Sequence, residues 1–325
     1  MASTPPSPPP PLLRWFGPGL AGLFSLVAFI SLPLFAGLPL LSLVGVFLAL
    51  LAPLPLVHLV ATGRPSFLAW GWVAAGLVAA VLLFQQTWLV GVCVGYLLVG
   101  AWPAVSVEIW LRRSWGTGRW VAVVTLTALV VVLGVIWAVF LPVQPAQGLD
   151  KLMSQATAQA GEMLQSLGVP VAGGEETVAF LVHWTAYLIP SFAALYVLAG
   201  VLWLRPRLPL LGLPRGAEPF AEYASEEWLP VGFALGGLGW VFAPEPAKWL
   251  AANLLVTVLG LYFVHGLAII VFYLGRRLGG NRWVRAGVTV FALMSPIALA
   301  FSALGLADTF FRLRPSGALD GGKTA

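Results

Sequence analysis

The sequence predicts an all-α, polytopic integral membrane bundle of eight or nine transmembrane helices, with one extracytoplasmic amphipathic helix. Three observations carry this. Of 325 residues, 60% are hydrophobic and only 9% are charged, with a mean hydropathy of +0.94, whereas a soluble domain is about one quarter charged. Apolar windows of about 20 residues, the length that crosses a hydrocarbon core of roughly 30 Å, recur along the whole chain. Of the 15 tryptophans, Trp88, Trp110, Trp120, Trp203, Trp228 and Trp249 stand at the ends of those windows, where amphipathic rings favour the headgroup level. The lipid bilayer is therefore the first partner.

Taken in order, residues 1–18 are proline-rich with a single arginine. They lack the charged start and cleavage site of a secretory signal and read as a disordered cytoplasmic tail. A single transmembrane domain, 19–311, follows. Its apolar segments lie at about 19–37, 40–60, 67–84, 88–111, 120–142, 178–204, 229–243, 248–274 and 286–306. Prolines 33, 39, 53 and 55 interrupt the first pair, which a spanning helix tolerates where neighbours satisfy the freed carbonyls. Between the fifth and sixth segments, Leu149, Leu152, Met153, Ala156, Ala160, Met163, Leu164 and Leu167 form one stripe at helical spacing. An amphipathic helix is expected over about 148–167, lying in the interface plane or closing an outward-facing cavity. The loop 205–228 mixes arginines with Glu218, Glu222, Glu226 and Glu227 and reads as a solvated cytoplasmic connector. Residues 312–325 read as a disordered tail.

Orientation follows from the bias of Lys and Arg among the loops. With the N-terminus cytoplasmic, the inner segments hold Arg14, Arg64, Arg112, Arg113, Arg119, Arg205, Arg207, Arg215, Arg276, Arg277, Arg282 and Arg285, and the outer loops hold only Lys151 and Lys248. Nine crossings leave Arg312, Arg314 and Lys323 outside; eight crossings, with the last segment re-entering at Pro296, keep them inside.

The net charge of +5 and pI near 9.7 do not indicate nucleic acid, because the arginines flank apolar segments instead of forming one basic face. Cys93 is the single cysteine, so neither a disulfide framework nor a thiolate metal cluster is expected. Residues Gly317 to Thr324 match the phosphate-binding pattern G-x-x-x-x-G-K-[ST], but only Ala325 follows. No helix N-terminus can form there to hold phosphates, and no nucleotide or other cofactor is expected.

Ionisable residues within apolar segments cost about 2.5–3.5 kcal/mol at the bilayer centre on insertion scales, so each needs a role. Glu108 lies four residues before Arg112, which predicts an ion pair on one helix face. Asp308 and Arg312 share the same spacing at the end of the last segment, and the same structural pairing is expected. His58 and His183 stand near segment ends, whereas His265 is the deepest. Asn253 and Thr257 are one turn apart in the eighth segment, with Gly260 on the same face, and Tyr262 and His265 are also one turn apart. Gly91-x-x-x-Gly95 and Gly232-x-x-x-Gly236 let helix backbones approach closely. No H-E-x-x-H, Ser/His/Asp grouping or carboxylate pair stands out, which argues against an enzyme.

Three stretches carry a family likeness: "EPFAEYASEEWLP" (218–230), through Pro219, Phe220, Trp228 and Pro230; "NLLVTVLGLYFVHGLAIIVFYLGRR" (253–277), through Asn253, Tyr262, Phe263, Gly266 and Phe272; and "LGLADTFFRLR" (304–314), through Gly305, Asp308, Phe311 and Arg312. They resemble the YybS-like bacterial membrane proteins, a domain of unknown function (2232). The third stretch departs from the family ending, since Leu313 and Arg314 follow Arg312 and one acid is present. The resemblance implies a multi-pass protein of the bacterial inner membrane. The family is more distantly similar to the substrate-binding subunits of energy-coupling vitamin transporters and to the rod-shape scaffold MreD.

Those relatives define two functions, a membrane-embedded small-solute binding or transport subunit and a non-catalytic scaffold of envelope assembly. The implied protein partners are transporter energising subunits in the first case and envelope-assembly proteins in the second. For a binding subunit, Asn253, Thr257, Tyr262 and His265 should converge on a cavity open to the outer leaflet. For a scaffold, helix–helix hydrogen bonds should satisfy the same groups.

Overall fold

A computed structural model describes residues 20–31, 39–62, 93–113, 115–140, 187–211, 219–245, 247–278 and 297–314, with isolated positions at 154, 180, 183–185 and 213. The amphipathic helix at 148–167, the segment at 67–84, the proline-rich start, Gly91 and the Gly317–Thr324 match lie outside the described residues, apart from the isolated Ser154. All regular structure among the described residues is helical: α1 (Leu20–Ser31), α2 (Pro39–Leu50), α3 (Pro53–Ala61), α4 (Cys93–Arg113), α5 (Thr117–Phe140), α6 (Ile189–Leu204), α7 (Leu229–Phe242), α8 (Ala247–Leu278) and α9 (Ile297–Phe311). Five spans are long and apolar enough to cross a membrane: Val44–Ala61, Cys93–Arg113, Thr117–Ala138, Ile189–Leu211 and Ala247–Arg276.

The single transmembrane domain expected from the sequence divides into two compact units. One comprises Met1–Trp115 with Val197–Ala217, the other Gly116–Tyr196 with Glu218–Ala325. In the first unit Tyr96 is fully buried; its hydroxyl is 2.8 Å from Ser25 Oγ, and its ring meets Phe29 edge-on at 5.5 Å. A Cβ on Gly95 would lie 3.0 Å from Phe29 Cζ, so the small residue admits the ring. Helix α4 widens into a π-turn over Leu97–Ala101, where the Trp102 N–H reaches back five residues to Leu97 O. The cause is Pro103, which supplies no N–H to the preceding turn.

The second unit is built around α8, which packs against α5, α7, α9 and a 3-10 turn at Phe220–Glu222. Its residues Val264–Ile269 are all buried. Helix α7 runs antiparallel to α8, with Gly232 facing Val258, Gly236 facing Leu255 and Gly239 facing Ala251, so the expected Gly232/Gly236 pair does form a packing face. The closest approach is the crossing of α8 and α9, where the Gly266 Cα lies against Phe301 O and the Gly305 Cα against Tyr262 O. Two hydrogen atoms in place of side chains make that contact possible.

Helix α7 has 14 residues, about 21 Å at 1.5 Å per residue, and is too short to cover α8. The uncovered part of α8 is met by chain outside the α-helices, and here the structure corrects two expectations. Of the solvated connector expected over 205–228, the part at 220–223 packs instead: Tyr223 is fully buried, and Phe220 and Ala221 pack against Leu267 and Val271 of α8, whereas Ala224, Glu227 and Trp228 are exposed. Nor does the tail begin at 312, since the Tyr273 hydroxyl of α8 donates to Leu313 O at 2.6 Å. Among the interfacial tryptophans expected, Trp228 is exposed, whereas Trp110, Trp120 and Trp249 are buried in helix packing.

The glycine crossing gives a direct test. A Cβ added at Gly266 or Gly305 meets backbone, which cannot yield as a flexible side chain can. Gly266→Ala and Gly305→Ala should each cost about 1–3 kcal/mol, read as a lower melting temperature in detergent. Gly237→Ala, with nothing within 4 Å of its new methyl, should melt like wild type. Equal melting of all three variants would show that the crossing is looser than described.

Candidate functional site

Asn253 sits on α8 opposite the start of α6, where Pro190 and the first-turn amides leave backbone groups without helical partners. Its Oδ1 accepts from Ser191 N (3.0 Å) and Ser191 Oγ (2.8 Å), and its Nδ2 donates to Tyr187 O (3.1 Å) and Trp249 O (3.0 Å). Trp249 Nε1 donates to the same Tyr187 carbonyl at 2.8 Å, and Thr257 Oγ1 donates to Asn253 O at 2.8 Å. Asn253 thus caps one helix from the side of another, and its polar atoms are all engaged. Tyr262 is fully buried, edge-on to Phe233 at 6.5 Å. The four residues expected to line one cavity are divided. Asn253 faces α6, with Thr257 bonded back to its carbonyl, whereas His265 faces α9 and the 219–228 segment.

His265 is where charge collects. Its Nε2 is 2.8 Å from Asp308 Oδ2, and its Nδ1 is 2.8 Å from Ser225 Oγ and 3.4 Å from the Ser225 N–H. Arg314 Nη2 donates to Asp308 Oδ2 at 3.1 Å and lies 2.8 Å from His265 Nε2, while its Nη1 donates to Ala221 O and Tyr223 O, both at 3.1 Å. The side chains of His265, Asp308 and Arg314 are 3%, 7% and 12% exposed. The Tyr223 ring closes one side, edge-on to the imidazole at 6.4 Å. Asp308 Oδ1 is buried with no hydrogen-bond partner among the described residues.

The expected pair Asp308–Arg312 is therefore corrected: Asp308 pairs with Arg314 and His265. The reason lies in the backbone. Helix α9 ends at Phe311, and Arg312 takes φ 46°, donating its N–H to Asp308 O at 2.9 Å. This is a left-handed helix stop without glycine. It removes Arg312 from the i+4 position and returns Arg314 towards α8. The other expected pair is present, with Arg112 Nη2 2.6 Å from Glu108 Oε1 in an exposed setting. Sequence reading also missed Ser225 and Tyr223, although both lie within the first family stretch; as small or uncharged residues in a loop they gave no sign of burial.

A Ser/His/Asp grouping, which the linear sequence does not display, does exist in space. Two tautomers divide its contacts. With Nδ1 accepting from the Ser225 amide and hydroxyl, Nε2–H donates to Asp308, and the Arg314 donor stands against it. With Nε2 accepting from Arg314, Nδ1–H donates to Ser225 Oγ. A guanidinium 2.8 Å from Nε2 opposes the imidazolium that a nucleophilic serine would require of its base. The arrangement suits proton exchange better than serine activation.

Residues at the two arginine positions separate the sequence reading from the structure. Removing one partner of a buried pair costs about 3–5 kcal/mol, so Arg314→Gln should lower the melting temperature in detergent strongly. Arg312 is exposed, and Arg312→Gln should melt like wild type. The reverse order would restore the i,i+4 pair.

The segments that meet at His265 coincide with the three stretches that carried the family likeness. Residues 26–309 match the family described as predicted membrane protein, DUF2232. No curated protein and no solved structure matches the chain. The match covers most of the sequence, including α8 and Asp308 but stopping short of Arg314, and the chain belongs to the DUF2232 family of predicted membrane proteins.

Proposed function

We propose that this chain is a membrane-embedded small-solute binding or transport subunit without enzymatic activity of its own, working in the bacterial cytoplasmic membrane. One observation carries the reading: His265, Asp308 and Arg314 are buried together among apolar helices and met by chain outside the α-helices at 219–228 and 312–314. Ionisable groups at such depth are rare and mark solute or ion pathways. Broken or short helices at membrane depth are tolerated where they face protein or a water-filled cavity, the arrangement transporters use for their sites. In this reading the ligand site is His265 with Asp308. The positive-inside bias supports a cytoplasmic N-terminus and a cytoplasmic 219–228 segment. The five long spans and the shorter α1, α7 and α9 are part of a bundle of eight or nine crossings. The partners are membrane energising subunits, as the distant likeness to energy-coupling transporters implies.

The scaffold reading draws on a different observation. The Asn253 network satisfies its polar groups by helix–helix hydrogen bonds, which is what a rigid platform for envelope-assembly proteins requires.

Purification of the tagged protein in mild detergent, with mass spectrometry of both small molecules and co-purifying subunits, separates the two. Transport predicts an ATP-binding-cassette pair or a retained solute, with the solute lost in His265→Leu while insertion is unchanged. Envelope-synthesis proteins as the sole partners, undiminished in His265→Leu, would replace transport by the scaffold.

A further inference from the structure

With Asp308 ionised, Arg314 charged and His265 neutral, the charges of the buried cluster cancel; His265 and Arg314 share one oxygen, Asp308 Oδ2. Among the described residues, the groups that face the imidazole are Asp308 from α9, Arg314 from the segment after it, and Ser225 and the Tyr223 ring from the 219–228 segment. Tyr262 lies one turn back on α8, and Glu226, next to Ser225, pairs with Arg119 of α5 at 3.8 Å. No further carboxylate faces the imidazole among the described residues to compensate a second positive charge.

We propose that His265 and Asp308 form a proton-binding site in which an arriving proton and Arg314 compete for the Asp308 carboxylate. The proton comes from solvent and is taken up at His265 Nδ1. The imidazolium then donates Nδ1–H to Ser225 Oγ and Nε2–H to Asp308 Oδ2, with no covalent bond other than N–H formed. The site now contains two cations and one anion in a medium of low dielectric, and the cations stand 2.8 Å apart. Arg314 is the one that can leave. It belongs to the short segment after α9 whose neighbours Arg312 and Leu313 are exposed, whereas His265 is fixed in the middle of α8. Its departure withdraws two hydrogen bonds from Ala221 O and Tyr223 O, which hold the 219–228 segment against α8.

Protonation therefore frees that segment, and by linkage any partner or solute that displaces the segment raises the affinity of the site for a proton. The site holds for a transporter or a scaffold alike, so its failure would leave the transport reading standing.

Hydrogen exchange of the full-length protein in lipid nanodiscs, followed from pH 8 to pH 5 and corrected for intrinsic rates, reads the segment directly. Wild type should lose about tenfold protection over 219–228 in one step between pH 8 and pH 5, with α7 and α8 amides unchanged. His265→Gln should show no step, and Arg314→Gln should already lack the protection at pH 8. Constant protection of 219–228 across the range in wild type would overturn the proposal, whether or not the variants fold. A wild-type step that persists in His265→Gln would overturn it too, and would assign the change to the Glu226–Arg119 pair.

Discussion

The neutralisation of one buried carboxylate organises the second unit. An isolated charge in an apolar interior is too costly to keep, so Asp308 must either lose its charge or gather partners. It gathers three segments that are far apart in sequence: His265 from the centre of α8, Arg314 from beyond the end of α9, and through them Ser225, Ala221 and Tyr223 from the segment before α7. The left-handed turn at Arg312 and the glycine crossing at Gly266 and Gly305 serve the same end. One aims the guanidinium, and the other brings α9 close enough for a short carboxylate to reach the imidazole.

The two polar regions of α8 differ in kind. At Asn253 the hydrogen bonds join neutral groups, with the acceptor and donors of the amide matched to backbone and hydroxyl partners. No proton or ion changes that balance near neutral pH, so it works as fixed glue between α6 and α8. At His265 the contacts depend on charge, one carboxylate oxygen serves two donors and the other has no partner among the described residues. A proton arriving there, as proposed above, changes that balance. The chain thus combines a rigid junction with a changeable one about three turns apart on a single helix.

Much of the fold was legible because membrane helices obey a strong constraint: without water, backbone must satisfy itself, and long apolar runs declare themselves. Helical structure, the Gly232/Gly236 face and the Glu108–Arg112 pair were all readable from spacing. What escaped depended on where helices stop. Helical spacing points Asp308 to Arg312, and nothing in "FFRLR" reveals a left-handed residue, because arginine has no special freedom there as glycine would. The burial of Tyr223 and the packing of Phe220 and Ala221 on α8 escaped for a related reason. The glutamates of that segment suggest solvent, while the short length of α7 that exposes α8 to it is visible only once both helices are placed. The division of Asn253 and Thr257 from His265 follows from the roughly 100° per residue of the helix, which turns neighbouring polar pairs toward different partners.

The central claim is that Asp308 is coupled to Arg314 and not to Arg312. A double-mutant cycle measures that coupling while cancelling the separate effects of each change. Unfolding free energies in detergent for Asp308→Asn, Arg314→Gln and the combined variant should give an interaction energy of about 2–3 kcal/mol, and the parallel cycle with Arg312→Gln should give one near zero. Additive effects of Asp308→Asn and Arg314→Gln would contradict the account.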